Sequence, residues 1–450
     1  MSTLDTLRDA TPGSLPAPSP ASRHWRLDER IVYLNHGSFG ACPVPVQRAQ
    51  QAHRDRMEEE AVSFFCDELF TRLDRTRDAI AGLIGGRPQD YVFLPNATSA
   101  VATIMDNCAK GIGLADPRPL GPGDEILVND HEYPACLNIV ERTAEATGAT
   151  VVKVALPTIP APGEPKVSAD LICEMLLGAV TERTRLCMLS HITSPSGIIM
   201  PVDRLVPDLR ERGVETLLDG AHGPGAIEFD IEALGAAFYT ANCHKWLCAP
   251  KGAALLWVRD DVAPRFRPMV FSNYACAPCG TKRRSHFNLE FDYLGTDDYT
   301  ARLAVADAID IVPTLGEGVI DEPTWPAVMK HNRDLVMRGR DIVCDMLGVE
   351  PPVEDDLIGP LAMVPLPRVG DDRWELLRNR PSIYADALQD RLVERYRVQV
   401  PVWLPCAQMG GGMTDGRRFV RLSAQLYNSE AQYELLGRAL VEEIKHERGG

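Results

Sequence analysis

The chain of 450 residues is 45% hydrophobic and 24% charged, and its formal net charge is −16. The length predicts about two or three domains, the composition is that of a soluble globular protein, and the acidic balance argues against nucleic acid or an anionic membrane as a partner. No apolar run reaches the roughly 18 residues that a membrane helix needs, and no basic leader precedes an apolar run, so we expect a cytoplasmic protein.

The cysteines form no disulfide framework that the sequence reveals. Twelve of them are scattered irregularly over the chain, which predicts reduced thiols. Cys276 and Cys279 form one C-x-x-C, which is half of a zinc site, a redox pair or a chance pair. Because no second pair of ligands stands at metal-site spacing, we favour a chance pair and predict no metal.

The predicted elements begin after a Pro- and Ser-rich stretch, residues 11–22, interpreted as a mobile part of an N-terminal arm over residues 1–30. A helix is predicted at 66–86, with apolar residues at helical spacing and a Gly pair at its end. Short apolar strands follow at 91–94, 125–128, 150–156, 185–190, 215–219 and 253–258. Several of these runs are continuously apolar, as in strands buried on both faces, so we predict an α/β domain with a large, mostly parallel sheet over 31–320.

The character of the sequence changes near residue 325. Long helical segments are predicted at 325–348, 381–396 and 428–447, and they enclose short strands at 361–366, 397–403 and 418–423. This pattern predicts a smaller C-terminal α+β domain over residues 321–450.

Polar residues follow several of the predicted strands, where an open parallel sheet binds its ligands. The turn NATS (96–99) precedes an amphipathic helix, so it either cradles a phosphate or only caps the helix. Tyr133 follows the next strand and either lies over a flat cofactor ring or is a plain packed tyrosine.

Two charged residues complete this series. Asp219 ends an apolar strand, where it either caps a turn or holds a protonated ring nitrogen. Lys245 lies in ANCHKWLCAPKG (241–252) and is either a side chain that reaches solvent or a buried amine able to form a Schiff base. A phosphate-binding turn, an aromatic ring, an aspartate and a lysine at successive strand ends are the parts that a pyridoxal phosphate site requires.

Seven motifs resemble the class V aminotransferase fold, and specifically its isopenicillin N epimerase-like branch. They are YLNHGSFG (33–40), NATSA (96–100), DHEY (130–133), DGAHGPG (219–225), HKWLCAPKG (244–252), LGTDD (294–298) and VRLSAQLYN (420–428). The resemblance extends from about residue 30 to 430. It implies a fold-type I enzyme that uses pyridoxal 5′-phosphate on a small-molecule amino-acid substrate.

The resemblance also implies roles for single residues. Lys245 would be the Schiff-base lysine, Asp219 the partner of the pyridine nitrogen, and Tyr133 the stacking residue. Arg421 matches the arginine that grips the substrate carboxylate. Further matches are contacts with the phenolic oxygen (Ser194 and His222), with the phosphate (Ala97, Thr98, Asn242 and His244), with the phosphate of the neighbouring subunit of a homodimer (Thr296), and with the substrate through a closing loop (His36 and Gly37). Lys251 has no such role and is expected in a turn or at the surface.

Four reactions at the α-carbon compete. We favour cleavage of the β C–S bond of a cysteine S-conjugate in a biosynthetic pathway, on branch membership, ahead of epimerisation and decarboxylative oxidative deamination. Cysteine desulfuration is disfavoured because Cys406, 15 residues before Arg421, has no nearby charge in its stretch that would activate the thiol. The non-enzymatic alternative is a cofactor-binding scaffold, against which the retained lysine, aspartate and arginine argue.

Overall fold

The computed structural model describes residues 15–160, 163–278, 281–384, 386–404 and 417–449. Within these ranges the strands are β1 (Val32–Tyr33), β2 (Tyr91–Leu94), β3 (Glu125–Asn129), β4 (Thr150–Val154), β5 (Thr184–Ser190), β6 (Glu215–Asp219), β7 (Phe238–Asn242), β8 (Ala254–Val258), β9 (Leu361–Leu366), β10 (Val398–Gln399), β11 (Val402–Trp403) and β12 (Arg418–Ser423).

The helices lie between these strands and at the C-terminal end. The longer ones are Val44–Glu59, Leu69–Ile84, Ala97–Ala109, Pro134–Thr147, Ala169–Gly178, Val202–Glu211, His286–Asp292, Thr300–Ile311, Trp325–Leu347, Asp371–Leu377, Ala387–Tyr396 and Glu430–Glu447. Short helical segments are Pro20–His24, His36–Phe39, Ala61–Ser63, Phe64–Glu68, Pro88–Asp90, Thr281–Arg283, Val312–Gly316 and Asp355–Leu357. No helix in the described ranges is both long and apolar enough to cross a membrane.

A seven-stranded sheet forms the centre of the molecule, in the order β2-β8-β7-β6-β5-β3-β4. Neighbouring strands are parallel except where β8 pairs with β2 and β7. Alternate residues of β5 join two separate apolar clusters, Leu186 and Met188 on one face and Cys187 and Leu189 on the other. Both faces are therefore covered, as the continuously apolar strands predict, and the mostly parallel α/β sheet is confirmed.

The central strand β7 is one that the sequence does not reveal. Its sequence, FYTAN, is too short and too polar at its end to stand out as an apolar run. It is buried because it lies between β6 and β8. This position brings Asn242 to the same edge of the sheet as the other strand ends.

A second, three-stranded sheet has the order β11-β12-β9 and is antiparallel. The helix Trp325–Leu347 packs on β9 and on the helix Glu430–Glu447. The predicted strand 397–403 is divided into β10 and β11, where Pro401 lacks an N–H group for a continuous ladder. Since β10 pairs with β1, residues 32–33 are joined to the C-terminal region, and the predicted boundary between residues 320 and 321 stays a prediction.

Residues 15–22 differ from the predicted mobile arm. The N–H of Ser19 donates to the carbonyl of Tyr427 at 3.1 Å, and the hydroxyl of Ser429 donates to the carbonyl of Ala17 at 2.6 Å. Ala21 is fully buried. These contacts hold a segment that has no periodicity of its own, while residues 11–14 lie outside the described ranges.

Candidate active site

A cleft of about 490 Å³ opens at the carboxyl ends of β2, β3, β5, β6 and β7. Most predicted site residues line it: Ala97, Thr98, Tyr133, Ser194, Asp219, His222, Asn242, His244, Lys245 and Arg421. They meet because parallel strands end at one edge of the sheet. β12 and the N-terminal segment add Arg421, Ser38 and Phe39 to the lining.

Lys245 lines the cleft, yet only 7% of it is exposed. Its Nζ lies 2.8 Å from Nε2 of His222, and the indole N–H of Trp246 donates to Nδ1 of His222 at 3.1 Å. Burial lowers the pKa of Lys245 to about 8, although the charge of Asp219 opposes this effect. Burial also lowers the pKa of His222 well below its ordinary value. Lys245 is therefore a buried amine with reduced proton affinity, and not a side chain that reaches solvent.

The backbone of Lys245 is held by the N-terminal segment. His36 is fully buried, and its Nε2 donates to the carbonyl of Lys245 at 2.9 Å. Its Nδ1 lies 2.8 Å from the hydroxyl of Tyr427, and burial lowers the pKa of His36 to about 3, so the ring is neutral. Gly40, with φ +64°, approaches so closely that a Cβ there would lie 1.9 Å from the carbonyl oxygen of His244. Only glycine fits this approach.

The predicted substrate loop has a different arrangement from the one that the resemblance implies. His36 and Gly37 do not line the cleft, whereas Ser38 and Phe39 do. A Cβ on Gly37 would lie 2.8 Å from a methyl carbon of Leu361, which explains the glycine by close packing. His36 therefore contacts the backbone of Lys245 outside the cleft, and Ser38 and Phe39 line the cleft.

Asp219 is the last residue of β6 and is buried. Its Oδ1 accepts the N–H of Ala221 at 3.0 Å, and its Oδ2 accepts the thiol of Cys136 at 3.3 Å. Burial raises the pKa of Asp219. The charge of Lys245 only partly opposes this effect, so a cationic group of a ligand would offset the cost of burying this carboxylate.

The helix that begins at Ala97 directs its N-terminus to the cleft. Asn96 caps it, since its Oδ1 accepts the N–H of Ser99 at 2.8 Å, and the N–H of Ala97 donates to Oδ1 of Asn242 at 3.0 Å. Nδ1 of His244 is buried and has no hydrogen-bond partner in the described part of the chain. Burial lowers the pKa of His244 to about 4. A helix N-terminus beside an unpartnered imidazole nitrogen is suited to bind an anion.

Arg421 is buried on β12 and has only neutral partners among the described residues. Its guanidinium donates to the carbonyl of Ser194, to Oδ1 of Asn35 at 3.1 Å and to the hydroxyl of Ser38 at 2.9 Å. Its Nε has no partner. Burial lowers the pKa of Arg421 to about 10. A carboxylate that entered the cleft would therefore find an uncompensated guanidinium.

Tyr133, Thr296 and Lys251 are more exposed than the remaining predicted site residues. Tyr133 lines the cleft and is 44% exposed. Thr296 is exposed, does not line the cleft of its own chain, and its hydroxyl lies 2.8 Å from that of Tyr293. Lys251 lies in a turn, as expected, but it also lines the cleft, with its Nζ donating to the carbonyl of Gly40 at 3.3 Å.

Sequence reasoning also missed residues that contact the predicted ones. Cys136 follows Tyr133 by three residues in the first turn of a helix, a spacing that could have placed it in the cleft. Trp246 stands beside Lys245, but nothing in the sequence shows that its indole contacts His222. Trp403 lines the cleft from β11, and no signal in the sequence indicates this.

The cysteine predictions can be followed only in part. Cys276 is exposed, while Cys279 and Cys406 lie outside the described ranges. Among the described residues, no group of three or more His, Cys, Asp or Glu side chains could hold a metal ion. The chance C-x-x-C pair and the absence of a metal stay predictions.

Comparisons with known proteins agree on one family. The family model for aminotransferase class-V matches residues 44–318. The chain is 32% identical over 428 residues to an isopenicillin N epimerase of Amycolatopsis lactamdurans, covering 92% of this chain and 96% of that protein. It is 29% identical to a probable chloroplastic L-cysteine desulfhydrase of Arabidopsis thaliana, covering 92% and 83%. A solved C-DES variant with glycine covalently linked to its PLP cofactor matches with a TM-score of 0.70 at 18% identity, covering 94% and 100%.

The cleft fits this cofactor on observations of its own. The unpartnered nitrogen of His244 beside a helix N-terminus suits a phosphate, the buried carboxylate of Asp219 suits a ring nitrogen, and the Lys245 amine suits an aldehyde. The match over residues 44–318 and the 32% identity over most of the chain agree with this geometry. The chain belongs to the class V aminotransferase family, and it is a pyridoxal-phosphate-dependent enzyme of fold type I.

Proposed function

We propose that this enzyme cleaves the β C–S bond of a cysteine S-conjugate in a biosynthetic pathway of the cytoplasm. The reaction converts the conjugate and water into a thiol, pyruvate and ammonia. Bound pyridoxal phosphate supplies the electron sink that weakens the bonds at the α-carbon. The observation that carries the proposal of an amino-acid substrate is Arg421, a buried cation with neutral partners in the same cleft as Lys245.

The proposed cofactor contacts follow from the cleft. They are Ala97, Thr98, Asn242 and His244 for the phosphate, Asp219 for the ring nitrogen, Ser194 and His222 for the phenolic oxygen, and Tyr133 for the ring face. Asp219 supports this assignment because desolvation raises its pKa, and a cationic ring nitrogen would favour its ionised form. Arg421 would orient the substrate by binding its carboxylate through two parallel hydrogen bonds.

Lys245 is the proposed general base at the α-carbon. A base works best when its pKa lies near the working pH, and burial lowers the pKa of Lys245 to about 8. About a tenth of such amines are neutral at pH 7, against fewer than about one in a thousand ordinary lysines. Nε2 of His222 lies 2.8 Å from Nζ, within hydrogen-bond distance of this amine.

Likeness to the desulfhydrase supports cleavage at sulfur, and likeness to the epimerase supports epimerisation as the second candidate. We favour the first on the basis of the branch that the motifs resemble. Desulfuration gains no support from Cys136, because burial raises the pKa of its thiol well above the ordinary value.

The test is a product assay on the purified holoenzyme with S-alkyl and S-aryl cysteine conjugates, run beside ordinary amino acids. We expect pyruvate and the free thiol in equal amounts. Exchange of the α-proton with racemisation and without pyruvate would establish the epimerase instead. Aldehyde with carbon dioxide would indicate decarboxylative oxidation, and no turnover of any amino acid would leave a cofactor-binding scaffold.

A homodimer with a shared active site is part of the proposal. Thr296 is exposed and lies outside the cleft of its own chain, so its hydroxyl is available to the phosphate site of a partner. Sedimentation of the holoenzyme should give a dimer, and Thr296→Val should weaken cofactor binding. A fully active monomer would contradict this assignment.

A further inference from the structure

The residue that follows Lys245 has a contact that the proposed chemistry does not use. Trp246 is fully buried, and its indole N–H donates to Nδ1 of His222 at 3.1 Å. We propose that Trp246 is a positioning residue, which confines the ring proton of His222 to Nε2 and thereby favours the neutral form of Lys245, whose amine can accept a hydrogen bond. This inference rests on the proposed role of Lys245 as the amine that binds the cofactor.

The position of the ring proton follows from what each nitrogen can donate. An indole N–H can only donate, so Nδ1 of His222 must hold a free lone pair. This excludes both the Nδ1–H tautomer and the doubly protonated ring. The one remaining proton is on Nε2, which lies 2.8 Å from Nζ of Lys245. An ammonium group there would set one donor against another, whereas a neutral amine offers the lone pair that the contact needs.

The indole is fixed by packing, so it cannot turn away from His222. Its ring lies 4.9 Å, centre to centre, from the ring of His36, and it belongs to an apolar cluster with Leu361. His36 is itself held between the hydroxyl of Tyr427 and the carbonyl of Lys245. The indole of Trp246 therefore packs against a histidine that is itself hydrogen-bonded to the backbone of Lys245.

The surroundings of His222 act in the same direction. Burial is the main cause that lowers the pKa of His222, and the positive charge of Arg421 further opposes a second proton on the ring. Burial favours the neutral form of Lys245, and the charge of Asp219, the acidic residue of the cleft, favours the charged form. The hydrogen bond from Trp246 to His222 adds to the stability of the neutral form.

The test compares Trp246→Phe with Trp257→Phe in the full-length apoenzyme. Trp257 is a matched control, since it is also buried but its indole N–H has no partner within the described residues. The rate of covalent uptake of pyridoxal phosphate is measured against pH. We expect Trp246→Phe to move the profile to higher pH and to slow uptake at pH 7 by about three- to ten-fold, the effect of one neutral hydrogen bond. Trp257→Phe should leave the profile in place.

A second measurement reads the proton directly in the wild-type protein and does not depend on Trp246→Phe. 15N NMR of the histidine-labelled wild-type apoenzyme, with His222 identified by its loss in His222→Asn, should show the Nε2–H tautomer. An Nδ1–H tautomer or a charged ring would overturn the inference, and so would equal pH profiles for the two tryptophan variants. A wild-type protein that forms no borohydride-reducible adduct with pyridoxal phosphate would instead refute the role of Lys245, which separates the two failures.

Discussion

Two arginines of β12 are equally buried and lie in opposite environments. Arg418 donates to Asp386 at 3.2 Å and to the carboxylate of Glu447, whereas Arg421 has only neutral partners in the described part of the chain. Residues three apart on a strand point to opposite faces of the sheet, so one strand serves both the C-terminal helices and the cleft. Burial opposes the charge of each, but the two carboxylates raise the pKa of Arg418, while that of Arg421 falls to about 10.

The difference separates a cation that is paired within the fold from a cation that we propose is kept for a ligand. A buried charge is costly unless it is paired, so the unpaired one lowers stability. Lys245 resembles Arg421 in this respect, since its Nζ contacts the ring of His222 and burial lowers its pKa. We therefore expect substitutions in the cleft to change chemistry more than stability, and substitutions at Arg418 to do the reverse.

The largest effect is expected at Lys245. Lys245→Ala should remove the covalent adduct with pyridoxal phosphate completely, because no other buried amine lines the described part of the cleft. Lys251→Ala is the matched control, and it should keep the adduct, since Lys251 is exposed. Mass spectrometry after borohydride reduction measures both. An adduct on Lys251 in the Lys245→Ala protein would break the distinction between the two lysines.

Arg418→Met should cost about 3 kcal/mol in the free energy of unfolding. It leaves Asp386 and Glu447 buried without this cation, although Glu447 keeps its ion pair with Arg391, which holds the loss near the lower end of the usual range. Urea denaturation of the holoenzyme gives the value. The adduct and kcat of the folded variant should stay near those of the wild type, and a loss of activity without a loss of stability would contradict the comparison.

Arg421→Lys should lower kcat/KM by about 100-fold, roughly 2.7 kcal/mol, because an ammonium cannot reproduce two parallel hydrogen bonds to a carboxylate. Its stability should change little, since lysine keeps a buried cation without an acidic partner at this position. Steady-state kinetics on the preferred substrate are compared with kinetics on the matching amine, which lacks the carboxylate. An equal loss for both substrates would show that Arg421 does not bind the carboxylate.

The sequence predicts which residues form this site better than it predicts the contacts between their side chains. Apolar runs followed by polar residues identify the strand ends, so Asp219, Tyr133 and Lys245 are found from the pattern and the resemblance. A parallel sheet brings such ends together, and the cleft confirms their proximity. β7 escapes detection because a short strand between two others is buried by its neighbours, whatever its own composition.

The contacts between side chains could not be predicted, because they join residues that are distant in the chain. His36 is 209 residues from the carbonyl that it contacts, and no local pattern reports such a contact. For this reason the resemblance assigns His36 to the substrate while the structure places it behind Lys245. Residues 15–22 also depend on contacts with residues distant in the chain. They are held by hydrogen bonds to Tyr427 and Ser429, which their own composition does not reveal.

The smallest expected effect is the pH dependence that the buried amine of Lys245 gives to the free energy of unfolding. Burial lowers the pKa of Lys245 to about 8 from its ordinary 10.5, so the charged form is disfavoured in the folded apoenzyme. Below pH 8 both the folded and the unfolded chain bind the proton, so the full energetic cost of burying the ammonium group is present. Between pH 8 and about 10.5 the unfolded chain binds the proton and the folded chain does not, so stability rises with pH, by about 1.4 kcal/mol per pH unit.

Urea denaturation of apoenzyme at pH 8 and pH 9.5 should therefore show a gain of about 2 kcal/mol in wild type relative to Lys245→Met, which has no such proton. The other titrating groups are shared by both proteins, so their contributions cancel in the difference. Parallel pH profiles would mean that the amine keeps its ordinary proton affinity despite its burial. In that case Lys245 would differ from Arg421, and only the arginine would be a cation of the cleft whose burial lowers the stability of the fold.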